Sequence, residues 1–212
     1  MPSSPPSIKR AICFIDGQNL FYAVKKAFGY SYPNYDILAL AKWVCSVQAW
    51  QFQEVRFYTG MPDPSDSWHP FWAAKKAAMG RQGIHVCTRP LRYRNQTIKL
   101  SDGSEQSTQI REEKGIDVRI AIDMIRLAHH KMYDVAVLFS QDQDLAEAAK
   151  EIRTIAHEQD RWIKVASAFP HSSVSINKRG VNDTDWIKID RTSYERCIDR
   201  TDYRASSASP TE

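Results

Sequence analysis

The chain of 212 residues lacks the features that mark exported, membrane-spanning or zinc-binding proteins. It has four cysteines and no CxxC pair, and its cysteines and histidines show no spacing typical of zinc ligands. No apolar run approaches the roughly 18 residues of a membrane helix. The opening segment, MPSSPPSIKR, has no apolar core of a signal peptide. These absences predict a cytoplasmic protein with buried free thiols and no membrane partner.

The sequence also has little excess of either charge. The formal net charge is +4 and the pI is near 8.8, which permits a nucleic acid partner without requiring one. Hydrophobic residues make up 42%, enough for one sizeable core. Residues 1–7 and 204–212 are small, polar or rich in serine and proline, so we expect two disordered tails around one domain at 8–203.

Strand and helix patterns alternate along nearly the whole chain. Strand patterns occur at 10–15, 54–58, 84–93, 135–139, 162–169 and 186–189. Helical patterns occur at 19–28, 36–47, 68–81, 115–129 and 143–157. The alternation predicts right-handed βαβ units in a three-layer α/β/α fold with a mostly parallel central sheet. A polar segment at 96–111, with an Asp102-Gly103 turn, is predicted to be a hairpin or a mobile flap.

Aspartates follow the two most apolar strands, at the sheet edge where ligands bind in such folds. Asp16 ends the first strand, and Asp142 and Asp144 follow the strand at 135–139. Asp117 lies in the first turn of helix 115–129, on its apolar, core-facing stripe. Carboxylates that converge repel each other unless a divalent cation neutralises them, and oxygen ligands favour Mg²⁺ or Mn²⁺.

Each aspartate also has an ordinary structural interpretation. Asp142 is placed to cap the following helix, Asp144 to interact with the helix dipole, and Asp16 to begin a turn. Asp117 is harder to explain in this way, because an unpaired charge facing a core is costly. The four together therefore indicate a metal site better than any one alone.

Three motifs that carry these aspartates resemble the NYN domain, a branch of the PIN-like nuclease superfamily. They are FIDGQNL at 14–20, EKGIDV at 113–118 and FSQDQDL at 139–145, in the family's order and with about its spacing. With WIKI at 186–189, the resemblance covers roughly residues 8–190. The third motif departs from the family's usual Ser-Gly-Asp-Ser-Asp-Phe through Gln141, Gln143 and Leu145, and the lost glycine is expected to change the turn.

The resemblance implies a PIN-like, Rossmann-like fold and metal-dependent hydrolysis of RNA by four aspartates that are catalytic and bind the metal. These are Asp16, Asp117, Asp142 and Asp144. Asn19 falls on the family's polar position one helical turn after the first acid, although a bond to local backbone would explain it equally well. Asp123 falls on a frequently acidic position, but it is off the main apolar stripe, so we expect a salt bridge with Arg119 or Arg126.

Substrate binding is predicted from two basic segments. Their candidate residues are Arg89, Arg92, Tyr93, Arg94, Lys178 and Arg179. Arginine pairs phosphate in a bidentate manner and tyrosine stacks on bases. A solvated edge strand and an unliganded surface loop are equally good explanations.

Two other function classes fit the residues less well. A non-catalytic module that binds RNA or a nucleotide would not need all the acids. A phosphatase-like hydrolase with Asp16 as the nucleophile would need a second aspartate two residues on, where Gln18 stands. Ser140 has no base beside it in sequence, so we expect it to bond backbone rather than attack substrate. The predicted function is a metal-dependent ribonuclease, with endonucleolytic cleavage preferred and the target RNA open.

Overall fold

The computed structural model describes residues 4–99 and 104–204. The strands in these residues are β1 (Arg10–Asp16), β2 (Gln51–Met61), β3 (His85–Pro90), β4 (Arg92–Lys99), β5 (Glu105–Glu112), β6 (Val135–Phe139), β7 (Lys164–Pro170) and β8 (Asp185–Ile189). Six of them form one sheet in the order β3-β2-β1-β6-β7-β8, and every neighbouring pair is parallel. The predicted parallel sheet is confirmed.

Helices cover both faces of this sheet. They are α1 (Gly17–Phe28), α2 (Ile37–Val47), α3 (His69–Arg81), α4 (Ile116–His129), α5 (Ala146–Glu158) and α6 (Arg191–Glu195). Ala11, Cys13 and Ile15 of β1 pack with α1 and α2, whereas Ile12 and Phe14 pack with α4 and α5. This division follows from the alternation of side chains along a strand. The three-layer α/β/α architecture is therefore confirmed.

The strand order places a crevice between β1 and β6. From β1 the sheet grows outward through β2 and β3, and the chain then returns to lay β6 on the other side of β1. Ligands of doubly wound sheets bind where the order reverses, outside the carboxyl ends of the strands. Asp16 ends β1 and Ser140 follows β6, so both lie at this crevice.

The structure differs from the predicted elements in a few places. The strand predicted at 84–93 ends at Pro90, and β4 and β5 form a separate antiparallel hairpin with Arg92 opposite Glu112. The hairpin alternative is thus confirmed, while its Asp102-Gly103 turn lies outside the described residues, as do 1–3 and 205–212 of the predicted tails. A 3₁₀ turn at Gln143–Leu145 precedes α5, and α6 was not predicted.

Two further expectations concern the state of the cysteines and the presence of membrane-spanning helices. All four cysteines are free, and Cys13, Cys45 and Cys197 are buried, as expected. None of the helices in the described residues combines the length and the hydropathy needed to cross a membrane.

Asp123 is a structural residue at the packing of α4 against β2. Its side chain is fully buried, and its carboxylate lies 2.9 Å from Arg119 and 3.3 Å from Arg126. The hydroxyl of Tyr58 on β2 donates to it at 3.0 Å, and Arg56 lies 3.8 Å away. The predicted salt bridge is confirmed with both arginines, and the carboxylate also joins the helix to the sheet.

We expect Asp123→Ala to lower the free energy of unfolding by about 2 kcal/mol, because it leaves the buried hydroxyl of Tyr58 without its acceptor and removes the carboxylate that Arg119 and Arg126 share. The matched control is Glu147→Ala on α5, whose partner Lys150 lies 2.7 Å away in an exposed pair. Such a pair contributes about 1 kcal/mol or less. Denaturant unfolding of both variants measures the difference. Equal small losses would remove the structural role of Asp123.

Candidate functional site

Asp16 is a buried carboxylate at the end of β1. Its Oδ1 accepts a hydrogen bond from the backbone N–H of Asn19 at 2.9 Å and so caps α1. Its Oδ2 lies 3.5 Å from the hydroxyl of Ser140. Burial, together with the nearby charges of Asp142 and Asp117, raises the pKa of Asp16 to about 6, and the capping bond opposes this shift. The turn expected at Asp16 thus coexists with a crowded negative site.

Asp117 and Asp142 line the same cavity as Asp16, a space of about 550 Å³ that we call the acidic cavity. Asn19 and Glu113 are also in its wall. The three aspartates come from the end of β1, the first turn of α4 and the loop after β6. Tertiary structure therefore brings together three of the four predicted acids.

Asp117 shares one side of α4 with the buried Ile120 and Met124, as expected, but its own side chain lies at the margin of the core. The buried stripe runs through Ile116, Ile120 and Met124, and Asp117 is half-buried beside it. Successive residues of an α-helix are rotated by about 100° around its axis. This rotation is enough to place Ile116 in the core and the next side chain, Asp117, in the cavity wall. The carboxylate is accordingly accessible to a ligand.

Asp144 is the predicted acid that does not line the acidic cavity. Its side chain is exposed, and its backbone N–H donates to Oδ1 of Asp142 at 3.1 Å. Asp142 thus caps the 3₁₀ turn, as its ordinary interpretation predicted. The exposed carboxylate of Asp144 lies on that turn, two residues beyond Asp142.

Glu113 is a site residue that the sequence reasoning missed. Its Oε2 accepts a hydrogen bond from the backbone N–H of Gly60 on β2. Burial, together with the charge of Asp16, raises the pKa of Glu113 to about 7. It belongs to the EKGIDV motif, but it follows a polar strand and no periodicity marks it as buried. The sequence signal that could have identified it is its place in the same motif as Asp117, four residues earlier.

The donor chemistry of the acidic cavity fits a hard divalent cation. In residues 4–99 and 104–204, no three Asp, Glu, His or Cys side chains are already arranged to bind a metal ion. The groups present are nevertheless carboxylates, and burial together with the charges of Asp142 and Asp117 raises the pKa of Asp16. Carboxylate oxygens are the ligands that Mg²⁺ and Mn²⁺ prefer, and a cation would relieve the repulsion between them.

Asn19 and Ser140 hold the loop after β6 against α1. The side-chain oxygen of Asn19 accepts from the backbone N–H of Gln141 at 2.9 Å. The hydroxyl of Ser140 accepts from the backbone N–H of Asp142 at 3.1 Å, as expected of that serine. Asn19 therefore bonds backbone as its ordinary interpretation required, although the partner is distant in sequence.

The glutamines that depart from the family's usual third motif bind the loop that carries Lys178 and Arg179. Gln141 donates to the carbonyl of Arg179 at 2.7 Å, and Gln143 donates to that of Gly180 at 3.1 Å. The predicted basic turn therefore lies beside the site. The guanidinium of Arg179, however, bonds Asn182 at 3.2 Å and Lys178 is exposed.

The predicted residues of the first basic segment have different surroundings. Arg89 is exposed beside the start of α4, where a Cβ on Gly115 would lie 3.0 Å from its Nη1. Arg92 and Arg94 are exposed on the hairpin. Tyr93 donates its hydroxyl to Asp66 at 3.1 Å, so it fastens the hairpin to the domain.

Fold and site together define a doubly wound α/β domain of the PIN-like kind with carboxylates at its switch point. The family description "NYN domain" matches residues 10–176, which is most of the sequence. The chain belongs to the NYN domain family, and the resemblance of the three motifs is confirmed.

Two known proteins are similar over much of the chain. The low amplitude and bright protein LabA of Synechococcus elongatus is 27% identical over 146 residues, or 68% of this chain and 68% of LabA. The crystal structure of VPA0982, a protein of unknown function from Vibrio parahaemolyticus, has a TM-score of 0.52 at 19% identity and covers 89% of this chain and 97% of its own. The second likeness shows the shared fold alone.

We expect Asp16→Asn to stabilise the metal-free protein much more at pH 8 than at pH 4.5. The folded pKa of about 6 lies above the ordinary 3.8, so the wild type loses stability as pH rises from about 4 to 7. This difference between the two pKa values corresponds to a change of at most about 3 kcal/mol in the free energy of unfolding. Asparagine preserves the cap.

Denaturant unfolding in EDTA at pH 4.5, 6 and 8 measures this effect. The matched control is Asp36→Asn, because Asp36 caps α2 in the same way, at 2.9 Å from the N–H of Ala39, and does not line the acidic cavity. The control variant should show no gain in the free energy of unfolding at pH 8. Destabilisation by Asp16→Asn at every pH would contradict the crowding of charge at this residue.

Proposed function

We propose that this chain is a metal-dependent ribonuclease that hydrolyses RNA phosphodiester bonds at the acidic cavity. The observation that carries the proposal is the convergence of Asp16, Asp117 and Asp142, from three separate elements, on one cavity at the switch point of the sheet. Membership of the NYN family supports the choice of RNA.

The carboxylates suit phosphodiester chemistry only together with a cation, because a bare acidic cavity repels an anionic substrate. Asp16, Asp117 and Asp142 would hold Mg²⁺ or Mn²⁺, with Asp144 on the neighbouring turn to complete the set. The ion supplies neutralisation of the phosphate, a bound water of lowered pKa and stabilisation of the leaving oxygen. No side-chain nucleophile is needed.

Other residues of the chain prepare the cavity for this task. Asn19 and Ser140 keep the loop with Asp142 next to Asp16 through their backbone bonds. The carboxyl group of Glu113 has a pKa of about 7, a value suited to proton transfer at neutral pH. Lys26 and Lys114 lie in the cavity wall, where their charges attract phosphate.

A non-catalytic RNA-binding module is the second candidate. The observation that favours it is the lack, among the described residues, of three side chains already arranged for a metal ion. The two candidates differ in one measurable property. The protein is incubated with labelled single-stranded and structured RNAs in Mg²⁺, Mn²⁺ or EDTA. A metal-dependent ribonuclease cuts RNA with either metal and not in EDTA, whereas a binding module cuts in none of them.

We expect Asp117→Asn to lower the rate of RNA cleavage by about a hundredfold or more, because a ligand of the metal is lost while the shape is kept. Asp185→Asn is the control, since Asp185 begins β8 at the opposite edge of the sheet and pairs with Lys164. Cleavage rates at saturating Mn²⁺ are compared for both. Near-normal cleavage by Asp117→Asn would remove it from the site.

We expect the double variant Arg92→Ala and Arg94→Ala to bind RNA more weakly and to lower the salt slope by about two units, because each phosphate contact releases a counterion. The control variant removes two positive charges elsewhere, those of Lys9 and Lys42, which lie outside the lining of the acidic cavity. RNA affinity is measured at several salt concentrations in Ca²⁺, which suppresses turnover. Identical slopes for the arginine variant and the wild type would place the RNA path elsewhere.

A further inference from the structure

A second cavity, of about 220 Å³, adjoins the acidic cavity. Its apolar side chains come from α1, the start of α3 and the junction of β3 and β4, and we call it the aromatic pocket. They are Phe21, Tyr22, Trp68, Trp72 and Leu91. Gln18, Tyr22 and Glu113 line this pocket and the acidic cavity alike. A ligand could therefore occupy the two spaces at once.

The aromatic pocket has large side chains that the protein leaves open to solvent. Trp68 is 43% exposed and Tyr22 is 48% exposed. Exposed aromatic residues in a concave site beside polar groups are typical of a binding surface. They provide flat apolar faces for a ring.

One enclosed carboxylate fixes the wall of the pocket. Asp66 has a side chain that is 4% exposed, and its Oδ1 accepts from the backbone N–H of Trp68 at 2.9 Å. Arg111 of β5 donates to both of its oxygens, at 2.6 and 3.0 Å. Tyr93 of β4 donates to it at 3.1 Å. Trp68 is thus tied to both strands of the hairpin, which makes the pocket preorganised.

A polar side chain stands at the boundary between the two cavities. Gln18 contributes to both walls, and in the described part of the chain no residue hydrogen-bonds its carboxamide. A carboxamide offers two donor hydrogens and an acceptor oxygen, the complement of the edge of a nucleobase. The arrangement therefore combines stacking surfaces with one group able to read a base edge.

We propose that the aromatic pocket receives one unpaired nucleobase of RNA, next to the phosphate that enters the acidic cavity. This inference rests on the proposed function for the position of that phosphate. The volume is below the roughly 300 Å³ of pockets for drug-sized ligands, so it suits one ring system rather than a whole nucleotide. The walls do not suit a phosphate, because they are mainly apolar and the guanidinium of Arg111 in them is already paired with Asp66.

The proposal has a consequence for the class of substrate. A base enters such a pocket only after it leaves the stack, which a duplex resists and a single strand or loop allows. The protein should therefore prefer single-stranded RNA. One nucleotide beside the scissile bond should contribute to RNA affinity through its base, and the other nucleotides should contribute mainly through their phosphates.

The test measures binding of single-stranded RNA in Ca²⁺, with an abasic nucleotide placed at each position in turn. We expect one position at which base removal weakens binding by the wild type, by about 5- to 150-fold for a stacked base. Trp68→Leu should weaken binding of intact RNA by a similar factor and should leave binding of that abasic RNA unchanged. Trp68→Phe should restore most of the loss.

Two further variants make the result decisive. Trp162→Leu is the control for the loss of a tryptophan, because Trp162 precedes β7 and lines neither cavity. Tyr22→Leu, at an exposed position of α1, replaces Trp68→Leu if the latter fails to fold. Equal losses on intact and abasic RNA, or no sensitive position in the wild type, would overturn the proposal, as would equal affinity for duplex RNA.

Cleavage of the same RNAs in Mn²⁺ separates this inference from the proposed function. Cleavage without any base-sensitive position would leave the ribonuclease intact and remove the aromatic pocket. Base-sensitive binding without cleavage would keep the pocket and support the non-catalytic alternative. Absence of RNA binding would overturn both.

Discussion

The negative charge of Asp16 at the buried end of β1 is the constraint on which the site depends. Burial and the charges of two neighbouring aspartates raise its pKa to about 6, and the capping bond from Asn19 offsets only part of this effect. The strand order brings the acids together, because β1 and β6 lie side by side, β1 ends at Asp16 itself and the loop after β6 carries Asp142. A divalent cation bound between such carboxylates would relieve their repulsion at neutral pH.

Polar contacts between distant segments keep that arrangement open to a substrate. Glu113 is held by the backbone of Gly60, and Gln141 bonds the carbonyl of Arg179. On the other side, Asp66 joins Trp68 to the hairpin. The acidic cavity and the aromatic pocket share Gln18 and Tyr22 of α1 and Glu113, so charge and flat apolar surface lie next to each other.

Much of the fold was predictable because its signals are local. Continuous apolar runs marked β1 and β6, and the alternation with helices indicated a parallel sheet whose strand ends hold Asp16 and Asp142. Prediction was less exact where a small rotation mattered. Asp117 was assigned to the core stripe of α4, whereas it lies at the margin of that stripe, beside the buried Ile116, and lines the cavity. A periodicity read over a helix cannot resolve one residue at its first turn, since the neighbouring elements decide which face is covered.

The sequence by itself determined the family, the layered α/β architecture and the place of the acids at the strand ends, because motif spacing and apolar patterning are properties of short segments. Tertiary structure alone decided that Glu113 joins the site, that the side chain of Asp144 points to solvent and that Asp123 is buried among arginines. It also decided that Trp68 and Tyr22 share one pocket. Each of these outcomes depends on contacts between segments far apart in the chain, which no local pattern encodes.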